Sequence, residues 1–286
     1  MTALAHARYC DEIVGQADAL CALLDAAGPD ALARPVPTCP EWDAAQLVRH
    51  VGESLRWIWH VVHTRAQRDV SRADVPYVDG PDDARELTAW LAGSARLVAG
   101  ALRDAGPGVP VWSWAWESST GFWARRMCHE VAVHRADAVF ACHGADAPLD
   151  AYRLEPAVAA DAIDEWLRIV EFAAAAEGAP RTPPGVGGTL LLHAADAPGA
   201  RWLVEIGGPR FRWRRGDETG EGGDERENDG KVESDGRAGK ADTAVGAPLT
   251  ALLLAAVRRL PVRGPAFDVT GDRALLDFFL ETARFG

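Results

Sequence analysis

The stretch CHEVAVHRAD, residues 128–137, places a carboxylate and an imidazole four residues apart in a segment with helical spacing. Side chains four residues apart lie on the same face of an α-helix, so Glu130 and His134 can approach one metal ion. A second histidine, His50, ends the stretch AAQLVRH, residues 44–50, of an earlier predicted helix. Two ligands from one helix and one from another, with an open position, are the pattern of a catalytic metal site.

The helix around Glu130 carries charged side chains where a bundle helix has apolar ones. The spacing of its inward positions alternates between three and four residues, which is typical of a core-facing side. These positions are Trp123, Met127, Glu130, His134, Asp137 and Ala141. Buried charges need partners or a bound metal ion, so the pattern favours a site. On the earlier helix the inward side carries His50, Ser54, Trp57 and Val61, whereas His60 and His63 lie off it.

Helix geometry ranks the neighbouring side chains. His129 lies about 140° around the helix from His134 and is expected to face elsewhere. Asp137 lies about 10 Å along the axis from Glu130, which suits orienting His134 or a neighbouring arginine better than binding the metal. Glu53, three residues after His50, competes as a ligand. The residues alone also leave open that these histidines are hydrogen-bonded core residues without a metal.

The composition excludes several classes of protein. The chain has 286 residues, 48% of them hydrophobic, and no run of apolar residues long enough to span a membrane. Its first residues lack the pattern of a signal peptide, so we expect a cytoplasmic protein. The sequence contains no basic stripe of the kind that binds nucleic acid. The five cysteines are odd in number and lack C-x-x-C spacing, which argues against a disulfide framework and a zinc ribbon.

The acidic charge is concentrated in one segment. The formal net charge is −12, and residues 216–242 hold ten Asp or Glu against four Lys or Arg, which contributes −6. The same segment has seven glycines and almost no apolar residues. Such a composition cannot bury enough surface to fold, so the segment is predicted to be a disordered insertion.

Periodicity predicts an α+β protein of two domains. Four helices, at about 3–27, 43–68, 82–103 and 121–144, predict a four-helix bundle over residues 1–150, in which inward side chains build metal sites. Residues 151–286 are predicted to form a linking helix and a small α+β domain. Its predicted elements are a helix at 154–177, strands at 190–192, 202–206, 211–214 and 266–270, and helices at 248–260 and 272–282.

Several motifs resemble those of one known family. TCPEWD, residues 38–43, followed by LVRHVG, residues 47–52, resembles the opening motif of the mycothiol-dependent maleylpyruvate isomerase family. EVAVHRAD, residues 130–137, is similar to that family's second motif. LHAADAPG at 192–199 and GDRALL at 271–276 look like its small C-terminal domain. The resemblance spans nearly the whole chain and implies that the bundle is DinB-like and binds a metal.

The resemblance also implies a set of functional groups. His50, Glu130 and His134 would be the metal ligands, normally of Zn²⁺, and the chemistry of the donors leaves Fe²⁺, Mn²⁺ or Ni²⁺ open. Mycothiol would be the thiol cosubstrate. The family's catalytic arginine has four candidates here, at Arg212, Arg214, Arg263 and Arg273. The residues that bind the thiol are not assigned.

The chemistry expected of this site is thiol activation. A thiol has a pKa of about 8.5, and coordination deprotonates it to a metal thiolate, a strong nucleophile. No cysteine of the chain is expected to serve, so the thiol is external. The thiolate would either stay on a small electrophilic substrate, as in S-transfer, or add and leave again, as in cis–trans isomerisation.

Other interpretations stay open at this point. A protein of the same fold could bind a metal or ligand without catalysis, whereas a dimetal bundle would need more inward glutamates. The tryptophans near the site either pack the bundle or line an acceptor pocket; they are Trp112, Trp114, Trp116 and Trp123. A monomer or a small homo-oligomer is expected, with small molecules as the partners.

Overall fold

The computed structural model describes residues 3–177, 187–207, 212–216 and 241–283. Helices dominate the first half and a five-stranded sheet lies in the second, so the predicted α+β fold is confirmed. Backbone contacts divide the chain into two compact units, Met1–Glu165 and Trp166–Gly286. The division falls inside the helix Pro156–Glu177, whereas the predicted boundary lies before it. Within the described ranges, no helix is both long and apolar enough to cross a membrane.

The N-terminal unit is built on four long helices. They are α1 (His6–Ala26), α2 (Ala44–Thr64), α3 (Leu87–Ala105) and α4 (Thr120–His143). Both α1 and α2 pack against α3 and against α4, which is the arrangement of a four-helix bundle. The predicted bundle is therefore present, and its interior is filled by buried apolar side chains such as Ile13, Leu55, Leu91 and Val131.

Local sequence fixes both ends of α2. At its start, the Asp43 side chain accepts from the backbone of Gln46, and the Gln46 side chain accepts from the backbone of Asp43, which together form a capping box. Its last residue is Thr64, earlier than the predicted end near 68. Arg65 adopts a left-handed conformation with φ of 50°, and this conformation ends the helix.

Helices α2 and α3 approach each other closely at a glycine. A Cβ atom on Gly52 would overlap the six-membered ring of Trp90 on α3. A Cβ atom on Gly80 would also meet this indole, at 2.8 Å. The glycine of the LVRHVG stretch is therefore needed because the Trp90 ring occupies the space that a larger residue would fill.

Helix α4 is enclosed on most of its sides. Sixteen of its residues are buried, including the polar side chains of His129, His134 and Asp137. A fifth helix, α5 (Pro156–Glu177), adds Asp161 and Glu165, which bond to side chains of α4. Because α4 is covered by neighbours, each of its charged residues must find a partner inside the protein.

The described residues of the C-terminal unit form one sheet and two further helices. The strands are β1 (Gly188–Ala194), β2 (Arg201–Ile206), β3 (Arg212–Arg215), β4 (Thr243–Ala247) and β5 (Asp268–Gly271), in the order β3-β2-β1-β4-β5. Among these five strands β1 and β4 pair in parallel, and the other neighbouring strands pair antiparallel. The helices are α6 (Leu249–Ala256) and α7 (Arg273–Thr282).

The sequence prediction misses one strand of this sheet. β4, with the sequence TAVGA, pairs with both β1 and β5, yet the prediction has no strand there. Its short run of small residues follows the acidic, glycine-rich segment and gives little alternation to recognise. Of the predicted disordered insertion, residues 217–240 lie outside the described part of the chain.

Candidate metal centre

His50, Glu130 and His134 converge on one point. Each offers one ligand atom, and these three atoms lie within 4.8 Å of one another. Glu130 Oε1 is 3.5 Å from His50 Nε2 and 3.2 Å from His134 Nε2. Bonds of 2.0–2.1 Å around a tetrahedral ion separate neighbouring ligand atoms by roughly 3.3 Å, so these distances fit one Zn²⁺-sized ion. Among the described residues, no other cluster of His, Cys, Asp or Glu has this geometry.

The antiparallel pairing of α2 and α4 brings the three side chains together. His50 of α2 faces Glu130 and His134 of α4. Two turns later on α2, Trp57 makes an edge contact with Trp123, which lies two turns earlier on α4, with ring centroids 5.8 Å apart. The inward stripes of both helices, predicted from spacing alone, therefore face each other.

Arg126 fixes the orientation of the Glu130 carboxylate. Its Nη2 donates to Glu130 Oε2 at 2.8 Å, which leaves Oε1 directed at the two imidazoles. The other guanidinium nitrogen, Nη1, donates to Glu165 Oε2 at 2.6 Å. Burial raises the pKa of Glu130, but its contacts with His134, His50 and Arg126 outweigh burial and hold that pKa well below the usual range.

Asp137 holds His134 from the other side of the ring. Asp137 Oδ2 lies 2.8 Å from His134 Nδ1, and Oδ1 accepts a hydrogen bond of 2.6 Å from the Thr38 hydroxyl. A neutral imidazole that donates its Nδ1–H to a carboxylate presents its Nε2 lone pair to a metal, which takes the place of the Nε2 proton of the charged ring. Burial lowers the pKa of His134, but Asp137 and Glu130 raise it to about 9, so this point favours positive charge. The donors and the charge both suit a divalent cation.

The side of the site next to His50 is open to solvent. The His50 side chain is 38% exposed, compared with 8% for His134. The indole of Trp42 lies on His50 with ring centroids 4.7 Å apart and reaches His134 at 6.2 Å. Trp42 comes from the TCPEWD stretch before α2, which contributes Thr38 as well. Sequence analysis singled out that stretch only by resemblance and assigned neither residue a role.

Two other candidates near the site have different partners. Glu53 does not join the three ligand atoms but forms an ion pair of 2.5 Å with Arg72. Cys39 Sγ lies 3.9 Å from Asp137 Oδ2, the oxygen that also contacts His134 Nδ1. In the described residues the cluster of potential ligands contains no cysteine.

His129 faces away from the three converging side chains, as its position around the helix predicts. Its Nδ1 is 2.8 Å from Glu165 Oε2 and its Nε2 is 3.1 Å from Asp161 Oδ2. Arg125 donates to both oxygens of Asp161, and Tyr9 donates to Oδ2 at 2.7 Å. Sequence analysis missed this buried network. The available signal was the pair of acids four residues apart, Asp161 and Glu165, in a part of α5 whose other residues are apolar except for Asp164.

The four candidate arginines all belong to the C-terminal unit. Arg212 and Arg214 are exposed on β3, and Arg263 is exposed in the connection before β5. Arg273 begins α7, where its Nε lies 2.8 Å from Asp277 Oδ1 and its Nη1 donates to the Val262 carbonyl. A catalytic role for any of them stays a prediction.

The tryptophans near the site have two kinds of environment. Trp114 and Trp116 each make an edge contact with Phe122, which supports a packing role. Trp112 and Trp57 contact each other at 5.6 Å, and both also line a cavity of about 370 Å³. Trp114 and Trp116 are therefore packing residues, whereas Trp112 also lines a cavity.

The chain resembles known proteins in part of its sequence and throughout its fold. Residues 14–139 match the family described as mycothiol maleylpyruvate isomerase N-terminal domain. The crystal structure of the mycothiol-dependent maleylpyruvate isomerase is similar, with 14% identity, a TM-score of 0.54, and coverage of 94% of this chain and 96% of that chain. The crystal structure of a histidine-to-alanine mutant of that isomerase is similar as well, with 12% identity, a TM-score of 0.53, and coverage of 91% of this chain and 92% of that chain.

No curated protein sequence matches the chain. At 12–14% identity the two crystal structures establish a common fold, and the family match covers the bundle that carries His50, Glu130 and His134. The chain therefore shares its fold with the mycothiol-dependent maleylpyruvate isomerase, and residues 14–139 match the family described as mycothiol maleylpyruvate isomerase N-terminal domain.

Proposed function

We propose that this protein is a mycothiol-dependent metalloenzyme. It activates a low-molecular-weight thiol for S-transfer to a small electrophilic substrate, or for cis–trans isomerisation of that substrate. The observation that carries the proposal is the convergence of one ligand atom each from His50, Glu130 and His134 within 4.8 Å. Support also comes from the family match over residues 14–139.

The residues fit a divalent metal ion, with Zn²⁺ as the first choice. Two imidazoles and one carboxylate are a donor set found in catalytic zinc sites, which leave a position for an exogenous ligand. When bound, the metal lowers the pKa of a coordinated thiol and so supplies a nucleophile at neutral pH.

The surrounding side chains have separate tasks in this proposal. Arg126 and Asp137 hold Glu130 and His134 in fixed orientations, so the ligands are arranged before the metal arrives. His50 lies at the solvent side, where a thiol and an electrophile can enter. Trp42 shields one face of His50 and limits its rotation.

Metal content tests the ligand assignment. We expect about one equivalent of zinc in the wild type and a large loss in His50→Ala, measured by elemental analysis after dialysis. His63→Ala is the matched control, because His63 lies on the same helix but is exposed and stacks on Trp59. Equal zinc in the wild type and in His50→Ala would refute the site.

Product analysis tests the reaction. The zinc-loaded protein is incubated with mycothiol and a panel of electrophiles that includes maleylpyruvate, and products are followed by mass spectrometry and NMR. A thiol conjugate would indicate a transferase. An isomer formed without consumption of the thiol would indicate an isomerase. Bound zinc with neither product would support a non-catalytic binding protein of the same fold.

A further inference from the structure

A cavity of about 370 Å³ lies on the face of α2 that also carries His50. It is called here the tryptophan–acid pocket, and its lining residues are Glu53, Ser54, Trp57, Asp69, Val70, Arg72, Val78 and Trp112. Its volume is within the range of small-molecule sites. Ser54 and Trp57 follow His50 by one and two helical turns, about 6 and 10 Å along the axis. The pocket therefore begins beside the metal centre.

Aromatic rings form the apolar part of the pocket. Trp57 and Trp112 meet edge to face with centroids 5.6 Å apart. The indole nitrogen of Trp57 donates to the Val70 carbonyl at 2.9 Å, which fixes the ring. Fixed aromatic surfaces suit flat apolar faces of a ligand, such as the C–H faces of a saturated ring.

The polar part of the pocket is acidic. The single guanidinium, Arg72, already pairs with Glu53 at 2.5 Å and with Asp79 at 2.6 Å. Asp69 adds another carboxylate, so the acids outnumber the base. A negative environment opposes an anionic ligand. Carboxylates accept strong hydrogen bonds from hydroxyl groups, so the lining favours an uncharged ligand rich in hydroxyls.

We propose that the tryptophan–acid pocket binds the uncharged, polyhydroxylated part of the thiol cosubstrate. The inference rests on the proposed function in one respect, which is that the sulfur end of the same ligand lies at the metal centre. In mycothiol, one acylated cysteine residue separates the sulfur from the sugar and cyclitol rings, a reach of about 6 Å. That reach matches the separation of one helical turn between His50 and Ser54.

Calorimetric binding of S-methylmycothiol to the zinc-loaded protein tests this proposal. The methyl group blocks the sulfur, so binding reports on the polyhydroxylated part. We expect Asp69→Ala to weaken binding about tenfold, the effect of one charge-assisted hydrogen bond. Trp112→Leu should weaken it as well. Asp146→Ala, at another exposed aspartate, is the matched control and should bind like the wild type. S-methyl-N-acetylcysteine, which lacks the rings, should not distinguish these proteins.

Equal binding of S-methylmycothiol by the wild type and both pocket variants would overturn the proposal. We expect myo-inositol, an uncharged polyol, to displace S-methylmycothiol more effectively than the maleate anion does. Equal displacement by the two competitors would also overturn the proposal. Failure of the proposed function would give a different result. No electrophile would react, yet Asp69→Ala would still weaken the binding of S-methylmycothiol. Conversely, turnover with an unchanged kcat/KM for mycothiol in Asp69→Ala would leave the enzyme assignment intact and refute the pocket.

Discussion

Arg126 and Glu130, one turn apart on α4, form an ion pair that uses only one oxygen of the carboxylate. Arg126 Nη2 lies 2.8 Å from Glu130 Oε2, and Oε1 is the oxygen that approaches both imidazoles. The same guanidinium is anchored by the fully buried Glu165. The ion pair thereby directs a single oxygen atom of Glu130 at the two imidazoles.

Loss of this ion pair is expected to weaken metal binding. In Arg126→Gln the carboxylate of Glu130 is free to rotate, and outer partners of metal ligands contribute tenfold to a hundredfold in affinity. Arg126→Lys keeps the charge but not the fork of two donors, and an intermediate value is expected. Competition with a chromogenic zinc chelator measures both. The control is Arg96→Gln, which removes an exposed ion pair with Asp18 and should leave zinc affinity unchanged. Unchanged zinc affinity in Arg126→Gln would contradict the proposal that Arg126 orients Glu130.

The carboxylate behind His134 should have a comparable effect. Asp137→Ala removes the group 2.8 Å from His134 Nδ1, so the ring loses its fixed tautomer and orientation. A tenfold to hundredfold loss in zinc affinity is expected. Thr38→Val removes only the hydroxyl that donates to Asp137 and should cost less. If Thr38→Val weakened zinc binding more than Asp137→Ala, this hierarchy would be wrong.

Gly52→Ala should destabilise the bundle. The added Cβ overlaps the Trp90 ring, and overpacking of this kind costs about 1–3 kcal/mol. Gly15→Ala provides the opposite control, because Gly15 is exposed in α1 with no atom within 4 Å of the added Cβ. That change should stabilise the protein by about 0.5–1 kcal/mol. Urea unfolding measures both, and equal effects at the two sites would contradict the packing argument.

Asp161 should contribute to loss of stability in acid. Burial raises the pKa of Asp161, but contacts with His129, Arg125 and Tyr9 outweigh burial and lower it from 3.8 to about 2. Since the folded-state pKa is the lower one, the stabilisation is fully present above pH 4 and is lost as the pH falls towards 2. The shift corresponds to about 2 kcal/mol.

Urea unfolding of the metal-free protein between pH 2 and 5 measures this contribution, since acid also releases a bound metal. Asp161→Asn should be less stable at neutral pH but lose less free energy between pH 4 and 2. Asp146→Asn, at an exposed site, should keep the wild-type profile. Identical losses in Asp161→Asn and the wild type would show that other groups dominate the acid transition.

Helical periodicity was enough to predict the inward stripes of the bundle. The positions of Glu130, His134 and Asp137 on one face of α4 follow from a rotation of 100° per residue. The same rotation places His129 elsewhere, and the structure finds it bonded to Asp161 and Glu165. The approach of His50 required tertiary packing, which the sequence predicted only through a second stripe and a family resemblance.

Partners supplied by distant segments could not be predicted in this way. The anchor of Arg126 is Glu165, thirty-nine residues later on α5, and no spacing rule links positions so far apart. The role of Thr38 likewise depends on how the connection before α2 folds over α4. The strand β4 depends on parallel pairing with β1, which is a non-local contact.

The tryptophan–acid pocket draws its two walls from different kinds of structure. One wall, with Glu53, Ser54 and Trp57, belongs to the rigid helix that also holds His50. The other, with Asp69, Val70, Arg72 and Val78, comes from the connection between α2 and α3, and Trp112 is added by the connection between α3 and α4. Connections tolerate substitution and insertion far better than packed helices do. In the proposed enzyme, selectivity for the ligand can therefore change through the connection while the residues of the candidate metal centre stay the same.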